Sequence, residues 1–296
     1  MQSQATTKRV NQQTGRTFSQ PSGFTLLELL VVISIIGLLA SVFVFGYSGW
    51  TDKARLANTK SFSQSVRSTL TAYVVGSWTF DRISGATVYD DSGYNNNGVN
   101  TGVVVADGIN KNGFLFNSSD VVFVNNSTSL NNYDALTLEA WAKPTISGGY
   151  DGIMDKYYYP NSCGVRQFLF AIWPTNRVCF WMGHNNGASA VSLCTATNSV
   201  NINKWNHLLA TWSKVTNTMK IYLDGKERAT YTNASLNWTT NTNCGLQLGR
   251  YYTTSSYTFD GVLDELKIYT EPFTIAQVKQ LYTEGLAKRG LALKLP

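Results

Sequence analysis

The sequence predicts an α+β protein: one long N-terminal α-helix whose first part crosses a membrane, then an antiparallel two-sheet β-sandwich of jelly-roll type. Three observations carry this. Phe24 to Phe45 is a 22-residue apolar run with a single charge. Ser48 to Val75 continues without proline and with apolar residues at helical intervals. From Ser77 onward, short apolar-alternating runs are separated by Asn, Gly, Ser and Asp clusters.

The first element is a polar leader, residues 1–23. It holds Lys8, Arg9 and Arg16 and no acidic residue, so half of the net charge of +6 belongs to it. That asymmetry keeps the leader cytoplasmic and puts everything C-terminal of the helix outside. The only other basic grouping is a short tail, residues 286–296, with Lys288, Arg289 and Lys294, which argues against a nucleic-acid partner. As a helix the apolar run is roughly 33 Å long, about the thickness of a bilayer's hydrocarbon core. A secretory signal would be shorter and followed by a small-residue cleavage site. Here the leader ends at Gly23, ahead of the run. Glu28, fifth from Phe24, is the one charge, and a carboxylate there costs a few kcal/mol in lipid unless partnered. Trp50, Ala54, Ala57, Phe62, Val66 and Leu70 then mark one helical side, and Asp52, Lys53, Arg55, Lys60 and Arg67 a polar one. Gly76 is the expected stop, so residues 24–76 form a membrane and stem helix.

Gly23-Phe24-Thr25-Leu26-Leu27-Glu28-Leu29-Leu30 resembles the prepilin motif of type IV pilins, over about Gly23 to Ala57. The resemblance implies cleavage after Gly23 by a prepilin peptidase, methylation of the new Phe24 amine, and packing against other pilin subunits through the helix. In the fibre Glu28 would meet the Phe24 amine of a neighbour, pairing two charges that are each costly alone in an apolar bundle. A single-pass protein of the inner or cytoplasmic membrane follows, assembled into a cell-surface or periplasmic fibre.

The strands expected in the second part are Val121–Val124, Leu136–Lys143, Gln167–Trp173, Arg177–Met182, Val191–Thr195, His207–Lys214, Met219–Asp224 and Leu246–Arg250, with a short helix near Thr274–Glu284. Asp224-Gly225 and Asn185-Asn186-Gly187 supply turns. The strand tryptophans Trp141, Trp173, Trp181 and Trp212 are expected in the core. Several segments, in order, resemble the bacterial laminin-G-like, concanavalin A-like domain over Ser77 to about Gly285 (residues 77–285). They are Trp78–Asp81, the loop Tyr89–Gly98, Gly113–Phe116, Leu136–Trp141, Trp205–Trp212, Ile221–Lys226, Leu246–Gly249 and the closing Phe259–Tyr269.

Four cysteines, Cys163, Cys179, Cys194 and Cys244, lie downstream of the export signal, with no Cys-x-x-Cys and only His184 and His207 as histidines. Two disulfides are expected, and no zinc site. Cys179 and Cys194 fall on consecutive strands joined by the Gly183–Ala188 loop, leaving Cys163 for Cys244. Glycoside hydrolysis needs two carboxylates flanking one bond. No Glu-x-Asp-x-x-Glu strand exists, and adjacent Asp264 and Glu265 point to opposite faces of a strand, so no enzyme is predicted. Calcium takes six to eight oxygen ligands. In the laminin-G-like family the Asp90–Gly98 loop packs near the Asp of the closing strand, so Asp90, Asn96 and Asp264 are candidates for a structural Ca2+, against plain turn hydrogen bonding. Tyr157, Tyr158, Tyr159, Tyr251 and Tyr252 lie in loops, where rings can stack on a sugar or a protein partner. The two resemblances together imply a minor pilin or pseudopilin of a type IV pilus or type II secretion-like fibre. Its head would bind a carbohydrate or surface protein for adhesion or uptake, or serve as a purely structural spacer.

Overall fold

The computed structural model describes residues 23–117, 119–131, 133–145, 148–157, 166–184, 189–233, 238, 244–251 and 257–290, with backbone alone over 42–60 and at 62, 63, 67 and 69. Two compact units meet between Lys60 and Ser61, and helix α1, Leu26–Tyr73, begins in the first and ends in the second.

In the first unit, Thr25 and Glu28 start α1 with a reciprocal cap. Glu28 N donates to Thr25 Oγ1 at 3.3 Å, and Thr25 N donates to Glu28 Oε2 at 2.9 Å. Leu26 to Leu39 exposes apolar side chains all round, as a helix in an apolar medium does. Ser34 and Ser41 hand their hydroxyls back to Leu30 O and Leu38 O, both at 2.7 Å, so neither needs another partner in lipid. Among the described residues no helix is long and apolar enough to cross a membrane. The apolar run itself continues to Phe45, and its side chains past Ser41 lie outside those described.

In the second unit β1 (Val74–Trp78) follows α1 directly. Short strands come next: β2 (Ile83–Ser84), β3 (Thr87–Val88), β4 (Gly98–Thr101), β5 (Val104–Asp107), β6 (Asn112–Phe116) and β7 (Val121–Val124). Then come β8 (Ala135–Pro144), β9 (Asp151–Lys156), β10 (Phe168–Trp173), β11 (Arg177–His184), β12 (Ser189–Cys194), β13 (Asn206–Ser213), β14 (Thr218–Leu223) and β15 (Lys226–Thr232). β16 (Leu246–Leu248), β17 (Gly261–Tyr269) and α2 (Ile275–Lys288) close the chain. Sheet A runs β15-β14-β13-β8-β17-β6-β5, with β1 also on β17, and sheet B runs β12-β11-β10-β9-β16-β7-β4-β3-β2. Period-two alternation sends Leu136, Leu138 and Ala140 of β8 and Leu208, Ala210 and Trp212 of β13 into one core with Phe168, Phe170 and Ile172 of β10. Each such large side chain, fully buried, contributes about 1.5–3 kcal/mol.

Gly76 does not end the helix. It sits inside β1, where a Cβ would strike the Trp78 indole, so close packing and not helix termination selects glycine. β9 and β15 are strands the sequence did not announce. The first is broken up by Asp, Gly and Lys, and the second is a charged, half-exposed edge. On β17 both Leu263 and Leu266 join the core, three residues apart, which requires the bulge seen between Asp264 and Lys267 and leaves Glu265 at φ 52.

The outer face of sheet A is closed by helix. Val66 and Leu70 from the end of α1 and Val278 and Leu281 of α2 pack on Leu209, Tyr222, Tyr269 and Phe273. Tyr282 stacks over Trp141 at 5.9 Å, and Gly285 lies so close to that indole that no side chain fits.

Candidate functional site

The predicted calcium residues serve two separate hydrogen-bonding jobs. Asp90 is buried and saturated: Oδ1 accepts from Ser77 N at 2.8 Å and Ser92 N at 2.9 Å, and Oδ2 from Ser92 Oγ at 2.6 Å and Asn96 N at 2.9 Å. Asn96 donates to Val75 O at 2.7 Å and accepts from Ser127 Oγ at 2.6 Å, tying the loop to β1. Asp264 faces the β5–β6 turn instead, where Oδ2 accepts from Ile109 N at 2.8 Å and Asn110 N at 3.1 Å. Burial pushes its carboxyl up to about 8, outweighing those bonds. As one cation cage the three do not fit, because their oxygens are already spent on N–H and O–H donors of different loops. Among the described residues no group of three or more His, Cys, Asp or Glu converges as a metal site.

The cysteine reading is met where it can be seen. Cys179 and Cys194 lie directly opposite on β11 and β12 and are disulfide-bonded, with Cα atoms 4.2 Å apart. Cys244 is also disulfide-bonded. Its expected partner Cys163 lies outside the described residues, as do Tyr158, Tyr159 and Tyr252.

Tyr157 and Tyr251 belong to something larger. Alternation sends Leu169, Ala171 and Trp173 of β10 and Trp181 of β11 to the outer face of sheet B, away from the main core. There Trp173 and Trp181 tilt against each other at 5.1 Å, Tyr150 meets Trp173 at 5.6 Å and Tyr257 at 5.7 Å, and Tyr257 stacks on Tyr251 at 4.6 Å. Arg166 continues the row, its guanidinium 4.5 Å from the Tyr157 ring and 5.8 Å from that of Tyr251. Asp155 of β9, fully buried, holds this guanidinium with two bonds, Nε to Oδ1 at 3.1 Å and Nη2 to Oδ2 at 3.4 Å. Tyr150 is 41% exposed and Trp173, Trp181 and Tyr257 are half-buried. The indole Nε1 atoms of Trp173 and Trp181 are shut from solvent with no hydrogen-bond partner among the described residues.

Two of the four strand tryptophans thus depart from expectation. Trp212 is core, Trp141 is buried beneath α2, and Trp173 and Trp181 form an aromatic surface. Tyr150, Tyr257, Arg166 and Asp155 were not singled out from sequence. β10 is apolar at every position, so periodicity alone cannot assign its faces.

At the start of β9, Asp151 lies opposite core-facing Ile172 and is buried beside Asp260. Burial and that neighbouring carboxylate push Asp151 up to about 7. Under sheet A's helices, charges are paired instead. Glu139 accepts from His207 Nε2 at 3.0 Å and from Tyr269 OH at 2.7 Å, and Glu265 bridges Lys267 and Lys288.

A model of the concanavalin A-like lectin/glucanases superfamily matches residues 116–279, more than half of the chain, and a prokaryotic N-terminal methylation motif matches residues 19–44. The type IV major pilin protein PilE1 of Neisseria gonorrhoeae is 32% identical over 99 residues, 30% of this chain and 46% of that protein. The fimbrial protein of Neisseria meningitidis serogroup B is 36% identical over 58 residues, 19% of this chain and 34% of that one, so the chain spans less than half of either relative. Among solved structures, the binding domain of Paraclostridial Mosquitocidal Protein 1 superposes with a TM-score of 0.59 at 19% identity, covering 73% of this chain and 53% of that one. Domain 4 of the arabinanase AbnA from Geobacillus stearothermophilus, in complex with arabinotriose, gives 0.55 at 20% identity over 71% and 98%. The botulinum neurotoxin serotype D ligand binding domain, in complex with N-acetylneuraminic acid, gives 0.56 at 15% identity over 73% and 52%. At these identities the likeness is one of fold. Behind a type IV pilin methylation motif, the chain carries a laminin G-like sandwich and belongs to the concanavalin A-like lectin/glucanases superfamily.

Proposed function

We propose that this chain is a minor, membrane-anchored pilin or pseudopilin whose sandwich head stands outside the membrane and binds carbohydrate on the outer face of sheet B. The observation that carries the binding reading is the row of rings from Tyr157 through Tyr251, Tyr257, Tyr150 and Trp173 to Trp181. Sugars present flat C–H faces and dense hydroxyls, and partly exposed rings with unpaired indole donors suit both. A buried donor without an acceptor costs about 1–3 kcal/mol, which a sugar hydroxyl entering between the tryptophans would relieve. The N-terminal motif supports cleavage after Gly23, methylation of Phe24 and assembly with other pilin subunits through α1. The bulk of the head favours a sparse or tip-located subunit.

The test is an oligosaccharide array probed with detergent-solubilised full chain, beside Trp181→Ala. Binding that weakens at least about tenfold in the variant, with an unchanged fold by circular dichroism, supports the platform. A chain that binds no glycan, with filaments assembled normally, would make the head a structural spacer.

A further inference from the structure

The charge state of the aromatic row points to which saccharides it takes. This rests on the carbohydrate reading above and goes one step further. Arg177 lies opposite Trp173 on β11, and Arg166 sits over two rings of the row, its planar guanidinium being the group best suited to a sugar carboxylate. It is already engaged. Asp155 faces the same side of sheet B, is fully buried, and meets the guanidinium with a two-bond fork. A carboxylated sugar approaching the rings would have to displace Asp155, stranding a buried carboxylate, or sit beside it as a second negative charge. Either is unfavourable. Neutral sugars meet no such penalty, since they need only ring faces and hydroxyl partners.

We infer that the site selects neutral over carboxylated saccharides, and that Asp155 is the residue that sets this preference by locking Arg166. Arg166 then acts as a stacked structural cation between Tyr157 and Tyr251, not as a ligand contact.

The experiment uses the detergent-solubilised full chain with matched neutral, sialylated and uronic-acid oligosaccharides. Wild type should bind the neutral set at least about tenfold more tightly, and Asp155→Asn should narrow that ratio about tenfold by strengthening the acidic set. Asp155 is buried, so Arg166→Gln is measured alongside in case the first variant does not fold. It should leave acidic binding as weak as in wild type, whereas a further loss of acidic binding would show that Arg166 already serves such sugars and overturn the inference. A wild-type preference for acidic glycans, or an unchanged ratio in folded Asp155→Asn, overturns it too. Binding to neither set removes the carbohydrate reading itself, an outcome distinct from a reversed preference.

Discussion

The two outer faces of the sandwich solve the same problem in opposite ways. Sheet A hides its outer face under α2 and the end of α1, and the buried carboxylates there are paired, although His207 Nδ1 has no partner among the described residues. Glu139 meets His207 and Tyr269, and Glu265 meets Lys267 and Lys288. Burial alone would raise Glu139, but Lys267, His207 and Tyr269 outweigh it and hold the carboxyl below its usual range. Sheet B receives no helix among the described residues. Its outer face carries rings instead, with the Trp173 and Trp181 indole donors left unmatched among the described residues. Paired carboxylates under helices suit a surface closed for stability, and partly exposed rings with unmatched donors suit the ligand-binding role proposed for sheet B.

The sharpest test of that contrast is Glu139→Ala. It strands His207 and Tyr269 in a sealed layer and should cost about 3–5 kcal/mol in urea unfolding of the full chain, without changing glycan affinity per folded molecule. A loss below about 1 kcal/mol would mean that helix packing, not charge matching, closes sheet A. A smaller effect of opposite sign is expected on sheet B. A carboxyl raised in the folded state adds stability that is whole below about pH 4 and drains away as pH rises through about 7. Asp151→Asn cannot ionise, so it should match the parent near pH 4 and exceed it by about 1–3 kcal/mol near pH 8. Parallel pH curves for the two proteins would show that Asp151 is not held protonated. The smallest effect expected is none. Chelator should leave the melting temperature unchanged, because the oxygens of Asp90 and Asp264 are occupied by backbone and hydroxyl donors. A fall that calcium reverses would show that an ion displaces those bonds.

Most of the sandwich was legible from sequence, because period-two alternation and turn residues are local signals. β7 falls where the sequence put it, and the Asp224-Gly225 turn has both residues at positive φ, as a two-residue hairpin requires. The Cys179–Cys194 pairing was also readable, since it follows from adjacency on consecutive strands. Sites that depend on distant segments were not. Asp155 and Arg166 sit eleven residues apart in sequence, and their meeting with Tyr251 depends on sheet order, which no local pattern encodes. β9 escaped notice because its Asp151, Asp155 and Lys156 are buried for reasons of partnership. Lys156, for example, donates to Cys244 O at 2.7 Å, while burial brings its ammonium down to about 7. Glu28 was assigned a neighbour's amine, and within one chain it also caps its own helix through Thr25.

The passage of α1 into β1 with no linker has a mechanical consequence. Tyr73 ends the helix, Val74 begins the strand, and Tyr73 O already accepts from Thr270 N at 3.0 Å. β1 then pairs with β17, an interior strand of sheet A. Any pull entering from upstream of Ser61 is therefore borne first by the docking of Val66 and Leu70 and by a ladder of strand hydrogen bonds, with no slack segment to extend beforehand. Tension on an anchored head would reach the sandwich as load on an interior strand of sheet A, and the head would respond as a stiff element of the tether.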